Sequence, residues 1–255
     1  MKVTFWKVEA AGNDFIIIDY RMPFLKEQPA ELARRLTHRR LGIGADGLIL
    51  IERSPGVDFF MNFYNADGSG PVMCGNGARA ALFFVCASGM ICREEYCFKA
   101  SDGVHRGEIK NNRVALTINQ PGRIEPVQLG AETAYLVDTG VPHLVRFCND
   151  VDSLDITEEA PDLRKRYNAN INYIEKTGDG GWKIRTWERG VEGETLACGT
   201  GATASAVTIH KICGESFPVT LWARGGELII HQKENELWLT GPVRKVFDGT
   251  FTLNE

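Results

Sequence analysis

A repeated motif constrains the fold of this chain more than any other feature of its sequence. The segment CGNGA at 74–78 recurs as CGTGA at 198–202, so that each residue of the first copy lies 124 positions before its counterpart. The same offset aligns the turn-then-strand pattern at 44–52 with that at 168–176 without a gap. The chain is therefore expected to contain two copies of one structural unit.

Each copy predicts the same series of secondary-structure elements. We expect an opening strand, a helical segment, a turn into a strand, a second strand, the Cys-Gly turn, a helix and two or three closing strands. Strands outnumber helices and most are separated by short turns, which predicts an α+β fold rather than alternating βαβ units. The expected architecture is two pseudo-symmetric lobes, each a mixed, largely antiparallel sheet curled around a central helix.

Proline and glycine at 120–123 mark a boundary between the two copies. We assign residues 1–120 to an N-terminal lobe, completed by 243–255, and residues 121–242 to a C-terminal lobe. Because ligands commonly bind where two domains meet, we expect the active site in the cleft between the lobes.

Composition favours a globular protein that binds a small molecule. Of the 255 residues, 44% are hydrophobic, and the net charge of −4 is spread without long runs, so no nucleic-acid partner is indicated. The apolar run at 80–92 is too short to span a membrane. Seven cysteines, an odd number, in a chain whose N-terminus does not resemble a signal peptide favour reduced thiols in the cytoplasm.

Two other motifs have a simpler structural interpretation. Cys86, Cys92 and Cys97 lack a C-x-x-C pair and a following histidine, so we expect ordinary buried thiols and no metal. The segment GIGADG at 42–47 matches the glycine pattern of dinucleotide-binding folds, but a helical pattern precedes it and a strand pattern follows. That order predicts a helix-to-strand turn.

The two Cys-Gly motifs have the opposite order, since each follows a strand pattern and opens a helix. Amide groups at a helix N-terminus bind a phosphate or a carboxylate, and glycines leave room for the anion. Two such helices could hold one carboxylate from both sides.

Cys74 and Cys198 would each lie at such a helix N-terminus, where the dipole lowers the pKa of a thiol below its usual value of about 8.5. Taken singly, each cysteine is explained as a small helix-start residue. A symmetric pair favours catalysis, because one thiolate can remove a proton from a carbon while the other thiol protonates the opposite face. A redox pair remains an alternative.

Six motifs together resemble the diaminopimelate epimerase family, from about residue 5 to residue 249. They are AGNDF at 11–15, GIGADG at 42–47, NADGS at 65–69, MCGNGAR at 73–79, ERG at 188–190 and ETLACGTGA at 194–202. The resemblance implies a cofactor-independent isomerase that interconverts LL- and meso-2,6-diaminopimelate for lysine and peptidoglycan synthesis. It also implies a homodimer.

The resemblance assigns roles residue by residue. Cys74 and Cys198 match the paired catalytic cysteines, and Glu188 and His143 match residues that support them, Glu188 also contacting a substrate amino group. The backbone of Gly75, Asn76, Gly199 and Thr200 would hold the reacting carboxylate. The distal end of the substrate would contact Asn13, Asn65, Asn170 and Arg189, whose donors suit a second carboxylate.

Three departures from the family pattern leave alternatives open. Val141 replaces the usual asparagine before Pro142 and His143, the segment 8–13 differs from the usual motif, and Gly70-Pro71 stands where an acid-containing pair is common. Another amino acid racemase on the same scaffold therefore remains an alternative, although Asn76 and Ala197 do not fit a proline racemase. A ligand-binding or thiol-sensing protein is the alternative outside enzymes. Retention of both cysteines disfavours a phenazine-biosynthesis isomerase.

Overall fold

The computed structural model describes residues 1–111 and 113–253. Residues 112, 254 and 255, which fall within the predicted lobe ranges, lie outside the described residues. The chain divides into two compact units, residues 1–116 with 242–255, and residues 117–241.

Within the described residues, the first unit contains eight strands and two helices. In chain order they are β1 (Lys2–Ala10), β2 (Asn13–Asp19), α1 (Pro29–Thr37), β3 (Gly47–Glu52), β4 (Phe59–Asn65), α2 (Gly75–Ala87), β5 (Glu95–Ala100), β6 (Gly103–Lys110) and β7 (Arg113–Ile118). The eighth strand, which we number β17 (Arg244–Thr252), comes from the C-terminus and pairs antiparallel with β1.

The second unit repeats this series. It contains β8 (Glu125–Leu129), β9 (Glu132–Asp138), β10 (Pro142–Phe147), α3 (Ile156–Tyr167), β11 (Asn170–Lys176), β12 (Trp182–Glu188), β13 (Gly193–Thr195), α4 (Gly199–Thr208), β14 (Val219–Ala223), β15 (Gly226–Lys233) and β16 (Glu236–Pro242). A π-helical turn, Ile209–Cys213, extends α4.

Strand pairing is mixed in both units and follows the repeat. In the first unit β2 pairs parallel with β3, and β4 with β5, while β1 and β2, β3 and β4, β5 and β6, and β6 and β7 pair antiparallel. In the second unit the parallel pairs are β10 with β11 and β12 with β14, and the other pairs are antiparallel. The predicted α+β class with mixed, largely antiparallel sheets is confirmed.

One helix lies at the centre of each unit. Helix α2 packs against β1, β2, β3, β4 and β6, and α4 packs against β9, β10, β11, β14 and β15. Alanine and glycine make up about half of both helices, and most residues of the two are buried. Such a helix is surrounded by the sheet, because it has no polar face to turn toward water.

The outer helices are amphipathic by contrast. Helix α1 begins at Pro29 and buries Leu32, Ala33 and Leu36 in a cluster with Ile16 and Leu48. Helix α3 begins after Asp155, whose side chain accepts a hydrogen bond from the backbone N–H of Thr157. Each outer helix therefore covers the face of the sheet with one apolar stripe.

The glycine-rich segment at 42–47 is the predicted turn from α1 into β3. The backbone N–H groups of Ile43 and Gly44 donate to the carbonyl of Leu36, which completes the helix C-terminus. A Cβ on Gly42 would lie 2.3 Å from the carbonyl oxygen of Arg35, so glycine is needed for close packing. These amides cap a helix rather than bind a phosphate.

Among the helices of the described residues, none combines the length and apolar character needed to cross a membrane.

Candidate active site

Cys74 is the N-cap residue of α2. Its backbone is extended, at φ −138° and ψ 117°, and its sulfur accepts a hydrogen bond from the backbone N–H of Gly77 at 3.4 Å. The amides of Gly75 and Asn76 belong to the first helical turn, where N–H groups have no partner within the helix. The local sequence thus places a thiol at the start of this helix, as the order of the motif predicted.

Cys198 occupies the equivalent position of α4. Its φ of −121° and ψ of 113° nearly match those of Cys74, and its sulfur accepts from the N–H of Gly201 at 3.4 Å. The hydroxyl of Thr200 lies 3.4 Å from the same sulfur. Cys198 is 8% exposed. The two cysteines are therefore local equivalents, each capping the central helix of its unit.

In the first unit, Asn13 and Asn76 lie beside Cys74. The side-chain oxygen of Asn13 lies 3.8 Å from the sulfur and accepts from the amide of Asn76 at 3.4 Å. The amide nitrogen of Asn13 donates to the carboxylate of Asp46 at 2.5 Å. Because a carboxylate accepts only, this contact fixes which end of the Asn13 amide faces the thiol.

Asp46 belongs to a charged network that the sequence did not single out. Arg39 contacts Asp46 at 2.6 Å and Asp14 at 2.8 Å, and the buried Lys7 ammonium lies 2.7 Å from Asp14. Burial alone raises the pKa of Asp14, but hydrogen bonds from Arg39 and Lys7 lower it to about 2. Asp14 therefore stays ionised at neutral pH, and the network holds the segment that carries Asn13.

Asn65 lies at the end of β4, where the chain turns toward α2. Its amide nitrogen donates to the hydroxyl of Ser69 at 2.9 Å, and its backbone N–H donates to the Ser69 carbonyl. The NADGS motif therefore forms a hydrogen-bonded turn that fixes the side chain of Asn65.

In the second unit, Asn170, Glu188 and Arg189 lie at the adjoining ends of β11 and β12. The side-chain oxygen of Asn170 accepts from the backbone N–H of Arg189 at 2.8 Å. The Arg189 guanidinium donates to the carbonyl of Asn168 at 3.1 Å. The Glu188 carboxylate accepts from the hydroxyl of Thr195 at 2.5 Å. Three side chains predicted to bind substrate are thus brought together by strand pairing.

His143 is fully buried between asparagines of the neighbouring strand. It pairs in register with Asn170, because β10 and β11 run parallel. The amide nitrogen of Asn172 lies 3.1 Å from Nδ1 of the ring, and that of Asn170 lies 3.5 Å from Nε2. A neutral imidazole has one acceptor nitrogen, so the shorter contact assigns the acceptor to Nδ1 and the proton to Nε2.

The protonation state of His143 follows from its burial. Loss of solvent lowers the pKa of His143 to about 3, and the positive charge of Arg189 acts in the same direction. The imidazole is therefore neutral at physiological pH.

Sequence reasoning missed four residues that shape these surroundings. They are Asp46, Arg79, Asn172 and Thr195, which contact Asn13, Asn76, His143 and Glu188, respectively. Asp46 and Arg79 stand inside quoted motifs, so their position beside predicted site residues was the available signal. Thr195 also lies inside a quoted motif, at 194–202, whereas Asn172 reaches His143 through pairing of strands distant in sequence, for which the sequence has no local signal.

Across residues 1–111 and 113–253, no group of three or more His, Cys, Asp or Glu side chains is arranged to hold a metal ion. Cys86, Cys97 and Cys148 are partly buried, and Cys92 and Cys213 are exposed.

Comparison with solved structures defines the class of protein to which this fold belongs. A phenazine biosynthesis protein of the PhzF family from Bacillus anthracis superimposes with a TM-score of 0.80 at 13% identity, over 99% of this chain and 100% of that one. A hydroxyproline epimerase from Agrobacterium vitis gives 0.73 at 14% identity, over 100% and 93%. The chain thus has the fold shared by these proteins.

Sequence comparison identifies the family within that class. A sequence model of the diaminopimelate epimerase family matches residues 5–122 and 135–246. The chain is also 39% identical to a diaminopimelate epimerase from Chlorobaculum tepidum, over 96% of this chain and 100% of that protein. The chain belongs to the diaminopimelate epimerase family, and the resemblance seen in its motifs is confirmed.

Proposed function

We propose that this protein is an isomerase that converts LL-2,6-diaminopimelate to the meso form with a cysteine thiolate and a cysteine thiol. The observation that carries the proposal is the pair of cysteines, Cys74 and Cys198, which cap equivalent helices in a member of this family. A sulfur at a helix N-terminus is suited to proton transfer, because the helix dipole and the first-turn amides stabilise its anionic form.

The reaction balances with these two groups alone. One thiolate takes the α-proton, and the electron pair of the broken C–H bond spreads into the adjacent carboxylate. The other thiol delivers its proton to the opposite face of the same carbon, which inverts the stereocentre. One thiolate is consumed and the other is formed, so the proposal requires no cofactor. It does require both sulfurs to reach opposite faces of one carbon.

The first-turn amides of α2 and α4 would stabilise the charge that develops on the reacting carboxylate. We assign this role to Gly75, Asn76, Gly199 and Thr200. Preorganised N–H donors aimed at a developing negative charge contribute a large part of catalysis, because they need no reorganisation during the reaction. The same donors bind the ground-state carboxylate and orient the α-carbon.

The other assigned residues suit the distal half of diaminopimelate, which carries a second ammonium and a second carboxylate. Arg189 offers a guanidinium for the carboxylate, while Asn13, Asn65 and Asn170 offer amide groups. Glu188 and His143 are assigned to support of the cysteines, Glu188 as an anionic acceptor near a substrate amino group. His143 would act in this role as a neutral imidazole, since its pKa is lowered to about 3.

We further infer a cytoplasmic homodimer. The five cysteines outside the proposed site are thiols, which suits a reducing compartment. On β17, the neighbouring side chains of Val246 and Phe247 are 51% and 45% exposed, and adjacent exposed apolar groups favour an interface between copies.

The decisive experiment follows deuterium incorporation by NMR in D₂O with LL-diaminopimelate as substrate. We expect exchange at the α-position with formation of the meso isomer. Replacing Cys74 or Cys198 by serine should lower the rate by at least about a thousandfold, because serine is a far weaker acid and base near neutral pH. The matched control is Cys213→Ser, which changes an exposed thiol and should leave the rate unaltered.

Two other outcomes would change the proposed function. Exchange in proline, histidine or glutamate, with diaminopimelate untouched, would keep the two-thiol chemistry and change the substrate. Binding of diaminopimelate without any exchange would support a binding or thiol-sensing protein instead.

A further inference from the structure

Arg79 is a fully buried guanidinium in α2, one turn after Cys74. It is 0% exposed, and its Nη2 donates to the side-chain oxygen of Asn76 at 2.8 Å. Its Nε and Nη1 have no hydrogen-bond partner among the residues that the structure describes. A buried charge with two unsatisfied donor nitrogens is costly, so we expect an interaction that compensates for its presence in a central helix.

The carboxylates of Glu9 and Asp46 are occupied by other groups. Glu9 accepts from the backbone N–H of Gly12 at 2.9 Å and lies 3.3 Å from the Arg244 guanidinium. Asp46 is held by Arg39 and Asn13. Within the described chain, no carboxylate lies at ion-pair distance from Arg79 itself.

Cys74 is the acidic group whose charge acts most strongly on Arg79. Burial lowers the pKa of Arg79 to about 10, while negative charge on Cys74, and to a smaller extent on Glu9, raises it. Arg79 therefore remains a cation at neutral pH, and its attraction to Cys74 is mutual: a thiolate at Cys74 stabilises the guanidinium, and the guanidinium stabilises the thiolate.

A chain of hydrogen bonds links the cation to Asp46 through Asn76 and Asn13, and the Asn13 oxygen lies 3.8 Å from the Cys74 sulfur. Arg79 donates to Asn76, Asn76 donates to Asn13 at 3.4 Å, and Asn13 donates to Asp46 at 2.5 Å. Arg79 can only donate and the Asp46 carboxylate can only accept, so the side-chain amides of Asn76 and Asn13 between them each have only one satisfactory orientation. Arg79 thereby fixes the orientation of Asn76, and through Asn76 that of the Asn13 oxygen that lies beside Cys74.

Two effects on Cys74 oppose each other in this arrangement. The Asn13 oxygen, 3.8 Å from the sulfur, favours the thiol form because it can only accept a hydrogen bond. The charge of Arg79 favours the thiolate. The field of a full charge extends further than a contact with a neutral amide does, and on this ground we assign the thiolate to Cys74.

The second unit has no cation at the corresponding position of its helix. The residue 124 positions after Arg79 is Thr203, which is 1% exposed and donates its hydroxyl to the carbonyl of Gly199 at 2.9 Å. A neutral side chain bonded to its own helix cannot stabilise the Cys198 thiolate as Arg79 stabilises that of Cys74. The repeat is symmetric in backbone but not in charge.

We propose that Arg79 is a positioning residue whose buried positive charge makes Cys74 the thiol that ionises first. This inference rests on the two-thiol function proposed above. In the resting enzyme Cys74 is the thiolate base and Cys198 the thiol acid. After one turnover Cys74 carries the proton taken from substrate and Cys198 is a thiolate, and proton exchange with solvent restores the starting form.

Alkylation by iodoacetamide as a function of pH tests this order without requiring turnover. Peptide mass spectrometry of the wild-type protein yields a separate pH midpoint for each cysteine, because only the thiolate reacts. The midpoint of Cys74 should lie below that of Cys198. Equal midpoints, or the reverse order, would overturn the proposal even if no variant could be purified.

Substitution at Arg79 then tests the cause. Arg79→Met should raise the Cys74 midpoint by about one pH unit, which makes alkylation at pH 7 roughly tenfold slower. The Cys198 midpoint should not move. Arg79→Lys, which keeps the charge, should restore most of the difference, whereas a purely structural role would show no such rescue.

These outcomes remain separate from those of the proposed function. If the Cys74 midpoint does not change in Arg79→Met, or if both cysteines shift equally, Arg79 does not control the ionisation of Cys74. The proposed epimerase function would not be affected by that result. If the protein does not epimerise diaminopimelate but Cys74 still ionises before Cys198, the proposed function is wrong. The effect of Arg79 on Cys74 would then still hold.

Discussion

Two fully buried bases, His143 and Arg79, respond to burial in opposite ways. Histidine titrates near neutral pH, so loss of solvent is enough to remove its charge, and Asn172 provides a partner for the neutral ring. Arginine has too high a pKa to lose its proton under the same conditions, so Arg79 stays charged and needs a nearby anion. The chemistry of each side chain therefore decides which of them can serve as a fixed charge.

The burial of His143 predicts a loss of stability in acid. Its pKa in the folded protein, about 3, lies below the unfolded value near 6.5, so the unfolded chain binds more protons between these two pH values. Stability therefore falls as pH drops through this window. Between pH 7 and pH 4.5 the contribution is about 2 to 3 kcal/mol.

Urea unfolding of wild type and His143→Gln at both pH values measures this effect. The variant should lose less stability than wild type over the interval, by about that amount. His210→Gln, at an exposed position in the π-helical turn, is the control and should keep the wild-type dependence. The same acid dependence in His143→Gln as in wild type would contradict a neutral buried imidazole.

The two central helices begin in the same way but differ in how tightly their first turn is packed. A Cβ on Gly201 of α4 would lie 2.3 Å from the side-chain oxygen of Asn172, whereas a Cβ on Gly77 of α2 would lie 3.4 Å from the ring of Phe15. The Asn172 oxygen also accepts from Thr186, and its amide holds His143. The first turn of α4 is therefore part of a buried polar network.

This difference predicts unequal effects of one substitution at two equivalent glycines. Gly201→Ala should destabilise the protein by about 1 to 3 kcal/mol, because Asn172 must move and its hydrogen bonds weaken. Gly77→Ala should cost little, or stabilise by up to about 1 kcal/mol, since alanine is the better helix former. Thermal or urea midpoints of the two variants provide the comparison, and equal losses would refute the distinction.

At the level of elements, the repeat in the sequence predicts far more than the two motifs. The offset of 124 residues carries β3 onto β11 and α2 onto α4. The positions of the parallel pairs are repeated as well, with β2 and β3 matched by β10 and β11. The hydrophobic period and the turn residues depend only on residues close together in the sequence, so both can be recognised from the sequence alone.

For the whole molecule, β17 is the element on which the proposed assembly depends. It pairs with β1 throughout its length, and its exposed residues include Val246 and Phe247. Phe247 also meets Phe5 edge to face at 5.9 Å between ring centres, so its ring is held in place while part of it stays exposed. A fixed aromatic group of this kind is typical of interfaces between proteins.

The homodimer proposal predicts a change in mass when this surface is charged. Phe247→Asp should shift the protein from dimer to monomer in light scattering, because a buried carboxylate without a partner is costly at an interface. Thr250→Asp, which adds the same charge to an exposed position on β17, should remain dimeric. A monomeric wild type at micromolar concentration would refute the dimer itself.

The amino-acid sequence by itself determined the duplication, the α+β class, the family and the placement of both cysteines at helix starts. These depend on periodicity, on glycine and on residue types at short spacing, which act within a few residues of the chain. Only the tertiary structure decided that Arg79 is a buried cation in the helix that Cys74 caps and that His143 is neutral. Charge and protonation depend on solvent exclusion and on partners distant in sequence, such as Asn172 for His143, and no local pattern encodes them.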